Sequence, residues 1–269
     1  LGLALCLKLF TLYLHEQRLW LAFNRPRPPL VQVLAIGFAA GALNLVLPGR
    51  AGDIAAVAML RRECRVSVGA ATAAVGIASF LEFAVFGVLL LGVLLIGATR
   101  WQDVIGADAH GRALQWVTLA TLSGVLVAIV ATVVGRRQRT RDEPTDGEAK
   151  PGLQTFLTET LRQASDGFST PGALASNIGL AIVQVVGMVG AFALAFPAIG
   201  LDIPFPMLAA AGVLAISSIA SVVLPPGYGA SPAAASVLVL ATFGATQADA
   251  LAYAAAWWAI SQVPASLIG

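Results

Sequence analysis

Residues 43–64 read LNLVLPGRAGDIAAVAMLRREC, and this stretch decides the fold. An apolar run enters a Pro-Gly pair that interrupts helical structure, and a helix-like pattern resumes a few residues later. Arg50 and Asp53 lie at this junction. If the apolar run crosses a membrane, Arg50 lies at the membrane surface; if the chain turns back before crossing, Arg50 lies inside the membrane.

The composition indicates an integral membrane protein. Of the 269 residues, 58% are hydrophobic and 11% are charged, whereas soluble domains carry about 25% charged residues. Because the apolar runs are long and uninterrupted, the sequence predicts an all-α, polytopic bundle of membrane helices. We expect the membrane to be its environment and no nucleic acid to be its partner. Cys6 and Cys64 have no CxxC or His-rich neighbour, so neither a metal site nor a disulfide is predicted.

The apolar segments divide the chain into two transmembrane halves, residues 1–134 and 172–269. Residues 135–171 between them combine a basic and acidic cytoplasmic linker with a predicted surface helix at 153–167. The chain opens inside an apolar run, which we interpret as a span cut from a longer protein. The apolar segments are 1–14, 30–47, 67–98, 113–134, 172–199, 206–224, 231–244 and 246–268.

The distribution of positive charge favours a re-entrant hairpin near residues 30–63. If segment 30–47 crosses outright, ten Lys and Arg side chains lie on one side of the membrane and five on the other. If it re-enters, twelve lie on one side and two on the other, with Arg50 at the tip of the hairpin. Cytoplasmic loops carry an excess of Lys and Arg. The cleaner bias therefore predicts the hairpin, although 18 apolar residues are enough to cross.

The second half repeats a feature of the first, the interruption of an apolar segment by Pro and Gly residues. A hairpin is therefore predicted near residues 206–244. Paired Pro/Gly-interrupted apolar segments at matching positions indicate a transporter's binding site. The alternative is two ordinary turns between helices. If the repeat holds, the two hairpins enter from opposite faces and form an inverted repeat. The second tip reads Pro225-Pro226-Gly227-Tyr228-Gly229.

The main candidate binding residues lie at or near the tip of the first predicted hairpin. Asp53 is suited to cap a helix that begins near Ile54, and the N–H groups there, together with Arg50, suit a phosphate. The alternative is an Arg50–Asp53 pair that only braces the hairpin. Glu82 lies in the middle of an apolar span and is a candidate partner of Arg50, a proton-binding group, or a neutral hydrogen-bonded acid. We expect no catalytic residue. The full set of candidate substrate-binding residues is Arg50, Asp53, Gly49, Gly52, Asn44, Glu82, Tyr228, Gly227 and Gly229.

Two other groups are given structural interpretations. His15, Glu16 and Arg18 are expected at the head-group level as a solvated edge, or alternatively as a guard at a lipid entrance. Gly37 and Gly41 form a GxxxG motif, which predicts a helix-packing face.

Motifs for several enzyme classes are absent from the sequence. The chain contains no Walker loop, HExxH or GxSxG motif, and no carboxylate cluster spaced to hold Mg²⁺. These absences argue against an ATP-driven pump and, less strongly, against a lipid-modifying enzyme. No cofactor is expected.

The stretch NLVLPGRAGDIAAVAML, the long span with an internal Glu, and the later VVLPPGYGASPAAASVLVLATFGATQADALAYA resemble the lysylphosphatidylglycerol synthase transmembrane-region family. The resemblance covers most of the chain. It implies a flippase-like integral membrane domain with re-entrant elements. Phe83 and Phe86 stand where family members often carry Arg and Asp, and Pro232 stands where a Glu is usual. The residues that the resemblance singles out are Pro48, Gly49, Arg50, Gly52, Asp53, Glu82, Pro225, Gly227 and Gly229.

The resemblance implies a transporter that binds or translocates anionic or aminoacylated phospholipids, or related lipid-linked molecules. We expect it in the bacterial inner membrane, crossing several times and lacking catalytic activity. The alternative from another class is a non-transporting membrane anchor or regulatory partner of a soluble enzyme, which would dock on linker 135–151. The third hypothesis is a membrane enzyme acting on lipid-linked substrates. It would need a pocket of catalytic polar groups, for which the sequence offers only Asp53 and Glu82.

Overall fold

The computed structural model describes residues 1–23, 27–46, 51–96, 160, 171–220 and 229–268. Every regular element in these ranges is a helix, in agreement with the predicted all-α class. The predicted segment 113–134, linker 135–151 and surface helix 153–167 fall almost wholly outside them. The helices are α1 Gly2–Leu21, α2 Leu30–Val46, α3 Ala51–Cys64, α4 Val68–Ile96, α5 Pro171–Ala193, α6 Ala195–Ala198, α7 Pro206–Ala220, α8 Ala230–Ala241 and α9 Gln247–Ile268.

Helices α2 and α3 pack against each other as a pair joined by residues 47–50. The close approach depends on Gly52, because a Cβ at this position would overlap the Ala40 carbonyl oxygen and the Asn44 side chain. Arg61 and Arg62 lie in the last turn of α3, where positive charge complements the helix dipole. The pair has the form of the predicted hairpin. Its re-entry into a membrane stays a prediction.

Helix α1 is longer than the sequence predicted. It continues through residues 15–21, beyond the predicted apolar segment 1–14. It packs most extensively against α5, and it also contacts α2, α4 and α9. Within this extension, α4 and α5 provide partners for His15 and Arg18.

Two apolar cores include residues from different parts of α1, one near Leu19 and the other near Ala4. The first is formed by α1 to α4 and includes Val33, Leu60 and Ala71. The second is formed mainly by α5 to α9 and includes stacked aromatic rings. The packing of α1 against α5 connects the two cores and positions the charged residues of α1 between them.

Two helical stretches in the described part of the chain are long and apolar enough to cross a membrane, Val68–Val93 and Leu174–Ala198. Shorter apolar helices cover Leu30–Asn44, Pro206–Ser218 and Ala230–Ala241. Large apolar side chains such as Val88 and Val186 are exposed on the outer surface of the two long stretches, at 63% and 56%. Exposed side chains of this kind are expected where lipid rather than water surrounds a helix.

Candidate functional site

Arg18 is the most deeply buried charged side chain in the described ranges, with no exposed surface. Its Nη1 donates to Gln184 Oε1 at 2.7 Å and its Nη2 donates to the Ala78 carbonyl at 2.7 Å. Its Nε donates to Asn177 Oδ1 at 3.2 Å. The Asn177 amide in turn donates to the Arg18 carbonyl at 3.3 Å. Arg18 therefore ties α1 to both α4 and α5.

The expectation of a solvated edge at His15, Glu16 and Arg18 is wrong for the last two residues. Glu16 is 5% exposed and Arg18 is fully buried. The physical reason for the burial of Arg18 is that two amides on α5 and a backbone carbonyl on α4 accept one hydrogen bond from each of its three guanidinium nitrogens. His15, whose side chain is 30% exposed, remains partly accessible.

Glu82 is held by α1. Its Oε2 lies 3.0 Å from His15 Nδ1 and 4.0 Å from Arg18 Nη1. The sequence analysis gave Arg50 as a candidate partner of Glu82, and Arg50 lies outside the described residues. The contacts with α1 place the Glu82 carboxylate at the meeting point of α1, α4 and α5.

Asn44 connects the start of α3 to α2. Its Oδ1 accepts the Gly52 N–H at 2.7 Å, and its Nδ2 donates to Asp53 Oδ1 at 2.9 Å. Helix α3 begins at Ala51, so Asp53 lies in its first turn. The prediction that Asp53 caps a helix beginning near Ile54 is therefore wrong. Asn44 on the neighbouring helix thus satisfies one of the free N–H groups that every helix start carries.

Glu16 lies against the backbone of α2. A Cβ on Gly37 would overlap the Glu16 carboxylate, so this side chain occupies the space that the glycine leaves free. Gly41 has no atom within 4 Å of the position of a Cβ. The GxxxG motif therefore contacts α1 at its first glycine, where it accommodates the Glu16 carboxylate, whereas Gly41 makes no such contact among the described residues.

A cavity of about 240 Å³ lies between α1, α2, α3, α4 and α5. His15, Glu16, Asp53 and Glu82 line it, and so does Lys8. Lys8 is buried, and its Nζ lies 5.9 Å from the centre of the Phe192 ring. The polar residues lining the cavity are Lys8, Thr11, His15, Glu16, Asn44, Asp53, Ser79, Glu82 and Gln184.

The structure brings only part of the predicted site together. Asn44, Asp53 and Glu82 line the cavity, and the Gly52 N–H donates to the Asn44 side chain. Gly229 precedes α8 with a φ of 72° and lies beside Trp258, away from the cavity. The other predicted residues, Gly49, Arg50, Gly227 and Tyr228, fall outside the described residues.

Sequence reasoning missed the contribution of α1 and α5. A signal was present: Lys8, Thr11, His15 and Arg18 recur at intervals of three and four, which places them on one face of an otherwise apolar helix. Asn177 and Gln184, seven residues apart on α5, also share a face. Nowhere in the described ranges do three His, Cys, Asp or Glu side chains group in a way that could hold a metal ion.

The whole chain, residues 1–269, matches the family described as the lysylphosphatidylglycerol synthase TM region, and the protein therefore belongs to this family. No curated protein and no solved structure gives a significant match. Family membership and the apolar helices together identify a membrane protein of lipid-related function.

Proposed function

We propose that this member of the lysylphosphatidylglycerol synthase transmembrane-region family is a flippase-like transporter. In this proposal it binds phospholipid headgroups in the cavity formed by helices α1 to α5. The observation that carries the proposal is a cavity lined by five ionisable side chains, with the apolar helices α2, α4 and α5 forming part of its wall. A charged side chain in the middle of a membrane costs about 2.5–3.5 kcal/mol even on insertion scales. Five ionisable side chains around one cavity are therefore best explained by a charged or polar ligand.

The size of the cavity suits part of a lipid rather than a whole one. A water needs about 10–15 Å³ of such cavity space, so a cavity of about 240 Å³ accommodates a polar headgroup fragment. The exposed apolar surfaces of α4 and α5 can remain in contact with the acyl chains while the headgroup enters. The ligands consistent with this arrangement are anionic or aminoacylated phospholipids, or related lipid-linked molecules.

Arg50 and Gly49 extend the proposed site. They lie in the four residues that join α2 to α3, and both helices line the cavity. In our proposal, the Arg50 guanidinium contacts a headgroup phosphate near the start of α3, where free N–H groups favour an anion. Gly227 and Tyr228 would contribute from the second tip.

We propose transport rather than catalysis, in the bacterial inner membrane and with several crossings of the chain. In this mechanism the hairpin of α2 and α3 and a second hairpin around α7 and α8 rearrange to expose the cavity alternately to each side. A two-sided test uses single cysteines at positions 25 and 62 in a cysteine-free background. Labelling of both from the cytoplasm supports a re-entrant hairpin, whereas labelling from opposite sides contradicts it.

Lipid translocation by the reconstituted protein tests the function directly. We would follow phosphatidylglycerol labelled on an acyl chain, using dithionite to quench the outer leaflet of liposomes. We expect the wild-type protein to accelerate translocation and Glu82→Gln to slow it, because the neutral amide weakens the contacts with His15 and Arg18. Glu63→Gln is the matched control, since Glu63 is exposed and pairs only with its exposed neighbour Arg62 among the described residues. Rates equal to those of protein-free liposomes for phosphatidylglycerol and amine-bearing lipids alike would refute the proposal.

A further inference from the structure

The Nδ1 atom of His15 faces two groups of opposite hydrogen-bonding character. Glu82 Oε2 on α4 lies 3.0 Å from it, and Gln184 Nε2 on α5 lies 3.5 Å from it. An ionised carboxylate only accepts hydrogen bonds, whereas an amide nitrogen only donates them. Nδ1 therefore suits Glu82 when it carries a proton and suits Gln184 when it does not.

The orientation of the Gln184 amide is fixed by Arg18. Arg18 Nη1 donates to Gln184 Oε1 at 2.7 Å, so the amide oxygen faces the guanidinium and the NH₂ group faces the imidazole. The same guanidinium donates to the Ala78 carbonyl on α4. The choice of partner at His15 Nδ1 is thus built into the packing of α1 against α4 and α5.

The cavity gives protons access to this pair. The side chains of His15 and Glu82 are 30% and 20% exposed, and both line the cavity. Imidazole is the side chain whose ordinary pKa, about 6.5, lies within the range of cellular pH. Acidic and histidine side chains within membrane proteins mark proton relays in pumps and transporters. The pair therefore has the chemistry and the access that a proton-binding site requires.

The charged groups around the pair leave one negative charge in excess while His15 is neutral. Among the described residues at this site, three ionised carboxylates face two basic side chains, and α2, α5 and α9 add no charged residue to the cavity lining. A proton on His15 brings the formal charge to zero, which removes the net repulsion of an anionic headgroup. The charged groups are Lys8, Glu16 and Arg18 on α1, Asp53 on α3 and Glu82 on α4.

We propose that lipid translocation is coupled to protons and that the His15–Glu82 pair is the proton-binding site. The inference rests on the transport function proposed above and supplies its driving force. In the unloaded state, the neutral imidazole carries its proton on Nε2, and Nδ1 accepts from Gln184. A proton from the aqueous solution then binds Nδ1, and the imidazolium pairs with the Glu82 carboxylate.

This exchange of partners links the proton to the movement of lipid. The contact of the His15 ring shifts from α5 to α4, while Arg18 remains bonded to both helices. An anionic phospholipid enters the neutralised site and crosses together with the proton, which leaves Nδ1 for water on the opposite side. One proton and one singly charged anionic lipid move no net charge, so the step is electroneutral.

A pH gradient across liposomes tests the coupling on the wild-type protein. The liposomes contain a trace of acyl-labelled phosphatidylglycerol, their two sides differ by one pH unit, and valinomycin with equal potassium removes the membrane potential. One pH unit corresponds to a factor of about ten in equilibrium. We expect enrichment of the lipid by up to about tenfold in the leaflet facing the more alkaline side, before protein-free liposomes under the same gradient show redistribution. An equal distribution between the leaflets would overturn the inference.

The same measurement separates the inference from the proposed function. If the protein translocates the lipid but leaves it equally distributed, transport stands and proton coupling falls. If the protein translocates no lipid with or without the gradient, both fall.

Nitrogen NMR of the wild-type protein in nanodiscs tests the assignment to Nδ1. The chain contains two histidines, and His15→Gln identifies the resonances of His15 by their absence. With ¹⁵N-labelled histidine, we expect Nδ1 to change from unprotonated to protonated as the pH falls from mildly alkaline to mildly acidic, while Nε2 stays protonated. A proton that exchanges at Nε2 instead, or an Nδ1 that keeps one state throughout, would contradict the assignment.

Two neutral variants test whether the pair is needed for coupling. His15→Gln and Glu82→Gln should both lose the enrichment, so that the lipid is equally distributed whatever the absolute rate of translocation. Glu63→Gln, the exposed control used above, should keep the wild-type enrichment. A His15→Gln protein that still concentrates the lipid as the wild type does would refute the role of the pair.

Discussion

The two cores of the molecule differ in how their interior space is filled. In the core of α5 to α9, the Phe192 and Trp257 rings stack at 4.7 Å and the Phe196 and Tyr253 rings stack at 4.1 Å between centroids. The Tyr253 hydroxyl is satisfied by the Phe192 carbonyl at 3.1 Å. Around α1 to α4, by contrast, charged groups surround a cavity that protein atoms leave unfilled.

In our proposal, the core of α5 to α9 serves stability and the cavity region serves binding. Stacked aromatic rings fill the space around them. The cavity region instead keeps Lys8, Glu16 and Glu82 around an open volume, and it needs Arg18 as an internal brace. Substitutions in the two regions should therefore separate stability from lipid transport.

The largest effect is expected for Arg18→Leu. The change leaves Asn177 Oδ1, Gln184 Oε1 and the Ala78 carbonyl without their donor. Removal of one partner from a buried charged network costs about 3–5 kcal/mol. We expect a large loss of thermal stability in detergent and loss of lipid translocation. Arg62→Leu, at an exposed surface position, is the control and should behave as wild type. Equal stabilities of the two variants would refute the bracing role.

Phe196→Ala should affect stability but not selectivity. Truncation of a buried Phe costs about 3–5 kcal/mol. Phe196 stacks on Tyr253 in the core of α5 to α9, and neither residue lines the cavity. We expect a marked fall in the detergent unfolding temperature and an unchanged preference among phospholipids in the folded fraction. A change in headgroup preference would show that the two regions are not separable in this way.

A smaller effect is expected for Gly52→Ala. Its Cβ would overlap the Ala40 carbonyl oxygen and the Asn44 side chain, which pushes α3 away from α2. Overpacking of this kind costs about 1–3 kcal/mol. Gly76→Ala is the matched control, because no atom lies within 4 Å of the new Cβ. We expect Gly52→Ala alone to lose stability and slow translocation, and similar behaviour of the two variants would contradict the close packing of the hairpin.

The smallest effect is expected for Tyr253→Phe. The change removes the hydrogen bond to the Phe192 carbonyl but retains the stacked ring. Side-chain hydrogen bonds within membrane proteins contribute about 0.6 kcal/mol on average. A small loss of thermal stability with normal translocation is the expected result. A transport defect would place Tyr253 in the transport mechanism and weaken the contrast between the two regions.

The sequence predicted the helical class and the polar residues that carry local signals. Segment 67–98 corresponds to Val68–Ile96, and Asn44, Asp53 and Glu82 were selected because each is polar beside or within an apolar run. The partners of Glu82 could not be obtained this way. Phe83 and Phe86 stand where the resembled family often carries charged residues, and the charged groups beside Glu82 come from α1.

The burial of Arg18 was not predicted, because its partners are distant in sequence. Asn177 and Gln184 lie 159 and 166 residues away, so no local pattern connects them to α1. A polar run at the end of an apolar segment usually marks a membrane surface. Only the packing of α1 against α5 shows that these side chains are enclosed.

The central claim is that the cavity formed by helices α1 to α5 binds a phospholipid headgroup. The most direct test uses Ser79→Cys on the cavity wall, with Cys6 and Cys64 replaced by Ser. We would measure the rate of modification by a charged methanethiosulfonate reagent with and without phosphatidylethanolamine, and the translocation rate after modification. The account predicts that the lipid protects Cys at position 79 and that modification blocks translocation. Unprotected modification that leaves translocation intact would contradict it.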